Sequence, residues 1–304
     1  MKTKLLIEPH IHGCFGVDFN KAKVTEVLDV ARKLLLQGVG GFFPTLVTDS
    51  IDNIRRQIDI IKQASQEQTF DCAKILGIHL EGIFINPEKK GIHNEKHFKK
   101  LTISNYKKIE DDFIKIVTLA PELDVDLIEY LKEKGVKVQA GHCIGSDLSK
   151  CDGATHLYNA MKGISHREGS TSLSALLNDN IYTEVIADGV HLSDEILDLT
   201  FRTKPVDKII LISDALPITY SDLKETVFAD SKIYYDGIKA TSKDGTIAGS
   251  TTLVPEIVKI LGQKGMFHPQ FIDNTYNYLG IDYLGDIEWD EDFNIISVST
   301  LQTY

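Results

Sequence analysis

The stretch Gly77–His93, GIHLEGIFINPEKKGIH, decides how the rest of the chain is read. Its lead-in, Lys74-Ile75-Leu76-Gly77-Ile78-His79-Leu80, is an apolar run of strand length that stops at an acid, Glu81. Gly82 follows, then a loop carrying Asn86, Pro87 and Gly91, then His93. A carboxylate at the last position of a buried strand is costly to keep there unless something positive meets it. A metal ion, an arginine or a lysine would each serve, and the rest of the sequence has to decide between them.

Outward from that stretch, short apolar runs alternate with amphipathic segments of helix length. The runs predict strands at Lys4–His10, Val39–Thr45, Lys74–Glu81, Ile114–Ala120, Val136–His142, Gly153–His156, Tyr182–Asp188 and Lys208–Asp214. Helices are expected at Lys21–Gln37, Ser50–Ser65, Val125–Lys134, Ser172–Asn180 and Ser193–Arg202, several of them opened by a capping side chain or closed by glycine. Eight strands joined mostly by helices predict an α/β fold, a closed (β/α)8 TIM-type barrel, with an open doubly wound sheet as the fallback. After Asp214 the pattern changes. Thr226–Thr246 reads as a hairpin turning at Asp236-Gly237, a helix follows from Val254 to Lys264, and the tail from Gly285 is acidic and then β-rich, with a hairpin around Asp290–Asn294. No linker divides the chain, so residues 1–279 are read as the barrel and 280–304 as a C-terminal β-rich extension.

The totals narrow the function. Among 304 residues the formal net charge is −11, which argues against nucleic acid or an anionic membrane as the main partner. One local cationic pocket would still suffice for a small phosphate. The four cysteines form no CxxC pair and read as reduced thiols. No signal-peptide core opens the sequence, and no apolar run approaches the roughly 20 residues that span a bilayer. A cytoplasmic location is expected.

In a barrel of this kind the chemistry sits at the C-terminal ends of the strands. There the sequence places His10-Ile11-His12, Glu81, Gly141-His142, Thr155-His156, Asp188-Gly189 with His191 just beyond, and Ser213-Asp214. His-x-His puts two imidazoles on one face of a strand, because side chains alternate with period two. Singly, a strand-end histidine is more often a hydrogen-bonded core residue, and an Asp before Ala more often a helix cap. Together, histidines and carboxylates from separate strands suit Zn²⁺ or a similar divalent ion with one position open to water.

Several stretches then carry a family resemblance: Pro9–Gly13, His79-Leu80-Glu81-Gly82, Lys89–His93, Leu119–Glu122, Ala140-Gly141-His142, Thr155–Met161 with Arg167-Glu168, Asp188–His191, Ser213-Asp214-Ala215 and Ile247–Ser250. By these the chain resembles the N-acetylglucosamine-6-phosphate deacetylases, metal-dependent members of the amidohydrolase superfamily. The resemblance implies a hydrolase that releases acetate from N-acetylglucosamine 6-phosphate. It implies Glu81, His142 and His156 as ligands of a principal metal, and His10 and His12 as ligands of a second ion in those members that have one. Asp214 would be the general base, and His93 would polarise the acetamide carbonyl. The sugar phosphate would be held by Arg167, His191 and the backbone N–H groups of Asn159 and Ala160, with the arginine supplied by the neighbouring subunit of a homodimer. The cofactor would be a divalent metal, Zn first and Fe, Mn or Co next, as one or two ions. Members of the family usually carry a small β-sandwich, of which only the stretch from Gly280 resembles a remnant. The segment between His142 and His156 is shorter than is usual, Glu8 stands where Asp is usual, and Ile83 where Pro is usual. A related substrate, N-acetylgalactosamine 6-phosphate, and an inactive sugar-phosphate-binding paralogue are the alternatives. Lys89-Lys90 reads as a solvated loop face, His79 as a packed or supporting histidine, and His97, His166 and His268 as surface residues.

Overall fold

The computed structural model describes residues 1–301; Gln302–Tyr304, the end of the expected extension, lie outside the described residues. Eight parallel strands follow one another around the molecule: Leu6–Ile11, Val39–Val47, Ile78–Glu81, Ile114–Leu119, Lys137–Ala140, Gly153–Ala154, Tyr182–Val185 and Ile209–Leu211. They pair in chain order. The chain beyond the eighth strand returns to the first, where Asp214 N–H donates to His10 O at 3.0 Å and His12 N–H to Ala215 O at 2.9 Å. The parallel strand curl thus closes at the level of the strand-end residues, as in a TIM-type barrel. Registers such as Val47 beside Glu81 and Glu81 beside Thr118 bring the strand ends to a common height.

The helices cover the outside because each has one apolar stripe. Ile51–Glu67 is typical: Ser50 Oγ accepts from Asn53 N–H at 3.2 Å to cap it, and Ile54, Ile58 and Ile61 are buried while Asp52, Arg55 and Arg56 face out. Spacing alone located this helix and those at Val24–Leu36, Asp126–Glu133, Thr171–Leu177, Asp194–Thr203 and Val254–Gln263.

Four features differ from the sequence-based expectation. The third strand is not continuous from Lys74. Lys74–Ile75 pairs with the second strand, after which Leu76 N–H donates to Phe42 O and Ile78 N–H to Phe113 O, so the chain changes neighbours at Gly77. A Cβ at Gly77 would lie 2.4 Å from Lys115 Cγ, which is why a glycine sits at this crossing. The region after Asp214 is a four-stranded antiparallel sheet, Glu225–Phe228, Ser231–Tyr235, Ala240–Ser242 and Ile247–Gly249, rather than one hairpin. The helix Gln270–Leu279 stands where no element was expected. Its Asn274 donates to Val206 O and Ile209 O, both at 2.7 Å, fixing the entry to the eighth strand. The terminal β-structure is not purely C-terminal. Gly285–Trp289 and Ile295–Thr300 form the expected hairpin, and Lys2–Lys4 adds to it antiparallel, with Trp289 Nε1–H donating to Thr3 Oγ1 at 2.8 Å. All four cysteines are free and buried. Among the described residues no helix is long and apolar enough to cross a membrane.

Candidate active site

Glu81, at the end of the third strand, is 2 % exposed and sits between four imidazoles. Its Oε1 lies 2.9 Å from His156 Nε2 and 3.2 Å from His142 Nε2. Its Oε2 lies 3.0 Å from His12 Nε2 and 3.5 Å from His10 Nε2. Asp214 Oδ1 completes the cluster at 3.2 Å from His12 Nε2 and 3.4 Å from His10 Nε2. Five strands therefore deliver six side chains to one point. His142, His156 and Asp214 hold left-handed backbone conformations, φ +50°, +32° and +53°. Such geometry in non-glycine residues costs free energy and persists only where its surroundings impose it. At Asp214 the imposition is visible: its N–H donates to His10 O, and its own carbonyl accepts from Ser250 N–H at 2.9 Å.

The outer nitrogens of the imidazoles fix their tautomers. His12 Nδ1 faces Thr45 O at 3.2 Å and His142 Nδ1 faces Lys89 O at 2.8 Å. A carbonyl only accepts, so both Nδ1 atoms carry hydrogen and, in neutral rings, both Nε2 lone pairs point inward. His142 Nε2 and His156 Nε2 are 3.2 Å apart. The His142 Nε2 lone pair also lies 3.2 Å from Glu81 Oε1, and two acceptors that close repel unless a cation lies between them. Separations near 3.2 Å are also the edges of a ligand polyhedron whose metal bonds are about 2.0–2.1 Å. The donor set therefore fits a divalent ion. Without one, burial disfavours charge on His10 and His12, but the Glu81 and Asp214 carboxylates override it and raise both, His12 to about 9. Burial alone would raise Glu81 and Asp214; the adjacent imidazoles reverse this and hold both below the ordinary carboxylate range.

His93 enters from the loop after the third strand, with Nε2 3.7 Å from Glu81 Oε2. Its Nδ1 is 2.7 Å from Thr48 Oγ1, which already accepts from Ile83 N–H at 2.9 Å. Because Nε2 faces an acceptor-only carboxylate, the ring proton belongs on Nε2, and Nδ1 accepts from the threonine hydroxyl. Burial holds His93 well below the usual histidine range, so it is neutral. Gly82 makes the approach possible, since a Cβ there would lie 2.1 Å from Thr48 Oγ1.

A cavity of about 220 Å³ opens over these groups, lined by His93, Asp214, Asn159, Ala160, His191, Phe228 and Gly249, among others. His191 Nδ1 is held by Asp188 Oδ2 at 2.8 Å, which leaves Nε2 for the cavity. Of the two backbone donors expected for a phosphate, Asn159 N–H is taken by His156 O at 2.9 Å, whereas Ala160 N–H has no protein acceptor among the described residues. The turn His156–Ala160, with φ +45° at Ala160, causes this: its tight fold closes on Asn159 and spares the next amide. Arg167 is exposed, away from the cavity lining, and makes no ion pair among the described residues. The Lys89-Lys90 loop is more than a solvated face, because Lys89 O orients His142. His79 donates and accepts within the barrel, Nδ1 to Pro9 O at 3.2 Å and Nε2 with Thr118 Oγ1 at 2.8 Å. Thr48 and Glu184 were missed by the sequence reading. For Glu184 a signal existed, an ionisable residue in the middle of a buried strand.

No family model matches the chain. Curated relatives do. An N-acetylglucosamine-6-phosphate deacetylase from Bacillus subtilis (strain 168) is 34% identical over 261 residues, covering 81% of this chain and 65% of its own length. One from Bos taurus is 31% identical over 284 residues, covering 84% of this chain and 68% of its own length. An N-acetylgalactosamine-6-phosphate deacetylase from Escherichia coli O157:H7 is 30% identical over 270 residues, covering 83% and 70%. The chain thus spans about two thirds of the length of these relatives. Among solved structures, an N-acetylglucosamine-6-phosphate deacetylase from Thermotoga maritima superposes with a TM-score of 0.88 at 27% identity, covering 98% of this chain and 87% of the other.

Proposed function

The chain belongs to the N-acetylglucosamine-6-phosphate deacetylase family, and from that premise we propose that it hydrolyses the acetamide of N-acetylglucosamine 6-phosphate to glucosamine 6-phosphate and acetate. The observation that carries the reading is the single cavity lined by Glu81, His12, His142, His156, Asp214 and His93, with His10 packed against Glu81 and Asp214. Glu81, His142 and His156 would hold the principal divalent ion, Zn²⁺ first, with Fe, Mn or Co next; His10 and His12 would serve a second. A bound ion supplies Lewis acidity, which polarises a carbonyl and makes water a stronger acid near pH 7.

The protein groups supply the rest. Asp214, ionised and buried beside His10 and His12, takes the proton of the attacking water. His93 Nε2–H donates to the carbonyl oxygen as negative charge builds there. When the tetrahedral carbon collapses, Asp214 returns the proton to the departing nitrogen, so that the C–N bond breaks to an amine and acetate. His191 and Ala160 N–H line the same cavity and would hold the sugar phosphate. The partner subunit's Arg167 would close the phosphate site with its planar fork. The protein would work as a cytoplasmic homodimer, its barrel residues 1–279 carrying the chemistry.

Acetate release from N-acetylglucosamine 6-phosphate, measured with and without added Zn²⁺ beside Asp214→Asn, tests this. Metal-dependent turnover, lost by a factor on the order of 10²–10⁴ in the variant, is the expected result. Faster turnover of N-acetylgalactosamine 6-phosphate would favour the second reading, which the Escherichia coli relative supports. No turnover of either by folded, metal-loaded protein would end the deacetylase reading.

A further inference from the structure

Of the four imidazoles around Glu81, three have a partner at Nδ1, and two of these partners are backbone carbonyls. His10 alone has a carboxylate: its Nδ1 is 3.1 Å from Glu184 Oε2. Glu184 lies in the seventh strand, Tyr182–Val185, and is 1 % exposed. The same Oε2 accepts from His156 N–H at 3.3 Å, and Oε1 has no hydrogen-bond partner among the described residues. No lysine or arginine pairs with it among the described residues.

A buried acid so sparsely partnered is poor structural material, because an ionised carboxylate away from water needs compensating charge. The compensation on offer runs through His10. With Nδ1–H donated to Glu184, His10 turns its Nε2 lone pair toward Glu81 and Asp214. The acid fixes the ring and would make it a better donor to a cation held by its Nε2. His10, His79 and Glu184 also lie close enough to suggest a separate ion site. That is ruled out by His79, whose two nitrogens are engaged by Pro9 O and Thr118 Oγ1.

We infer that Glu184 is a positioning residue for the second cation position, the one served by His10 and His12, and that its carboxylate decides whether the centre takes one ion or two. The inference rests on the metal centre proposed above, but not on the substrate.

Metal-free protein is titrated with Co²⁺, following the visible absorption bands and counting bound metal. Wild type should take two equivalents. Glu184→Leu, of similar size but with no acceptor, should keep the first and weaken the second on the order of 100-fold; Glu184→Gln, which keeps an acceptor, should weaken the second only about tenfold. Circular dichroism of the metal-free variants checks the fold. Tight binding of both ions by Glu184→Leu overturns the inference. So does equal weakening of both ions, which would mark a general support acting through His156 N–H. A wild type that takes a single ion overturns it as well. If Glu184→Leu does not fold, an unchanged second affinity in Glu184→Gln decides against it. Acetate release is scored separately, so failure of the deacetylase reading leaves the metal result standing.

Discussion

Thr48 shows how a residue outside the cavity lining can set which nitrogen of a neighbouring imidazole carries the proton. Its hydroxyl accepts from Ile83 N–H and has one proton left, which goes to His93 Nδ1. Remove the hydroxyl and the imidazole is free to carry its proton on the wrong nitrogen. Thr48→Val is therefore expected to lower kcat about tenfold, the worth of roughly 1.4 kcal/mol from one buried hydrogen bond, with KM nearly unchanged. A comparable rise in KM instead would place Thr48 in substrate binding. At this scale the ligand-type residues were legible because strand ends announce them: Glu81, His142, His156 and Asp214 each close an apolar run. Thr48 was not legible. A threonine after a strand is unremarkable until Gly82, with φ +129°, lets the following loop fold back onto it.

Glu8 works between elements. It sits in the first strand with no exposed surface; Oε1 accepts from Val254 N–H at 2.7 Å, at the start of the helix Val254–Gln263, and Oε2 from Ser213 Oγ at 2.8 Å. The acid thus clasps the first strand to the eighth and to the helix after it. Burial pushes its carboxyl up from 4.5 to about 7, and the two hydrogen bonds only partly offset this. Between those values the unfolded chain has released the proton while the folded chain still holds it, so stability falls as pH rises. The loss reaches about 3 kcal/mol at pH 7. Urea unfolding of metal-free protein from pH 4 to 8 should show that decline in wild type and a flatter profile in Glu8→Gln. Parallel profiles would mean that Glu8 titrates normally. Most elements were legible from spacing, since the apolar stripe of a helix and the apolar run of a strand are local patterns. The helix Gln270–Leu279 was not, because its tyrosines and asparagine read as polar until they are seen packing under the barrel.

For the whole molecule, subunit assembly would complete the proposed phosphate site. Arg167 stands exposed on the loop that follows Met161, outside the cavity that holds Ala160 and His191. If it serves a neighbouring subunit, Arg167→Ala and Asp214→Asn, each nearly inactive alone, should restore activity when mixed and allowed to exchange subunits. A hybrid would contain one site with both Asp214 and a donated arginine. Light scattering gives the dimer, and acetate release the complementation. Additive, unrestored rates would place the arginine's work within one chain or nowhere.

By itself the sequence determined the barrel and the inventory of its rim. Both depend on periodicity and on which residue types end each strand, and those are properties of neighbours along the chain. Only the tertiary structure decided the partners: Lys89 O on His142, Thr48 on His93, Glu184 on His10, and the Lys2–Lys4 strand on the terminal hairpin. These pairs lie from 45 to 174 residues apart where side chains are concerned. They exist because closing the barrel brings distant strand ends together, and a buried polar group must then bond to whatever closure has placed beside it.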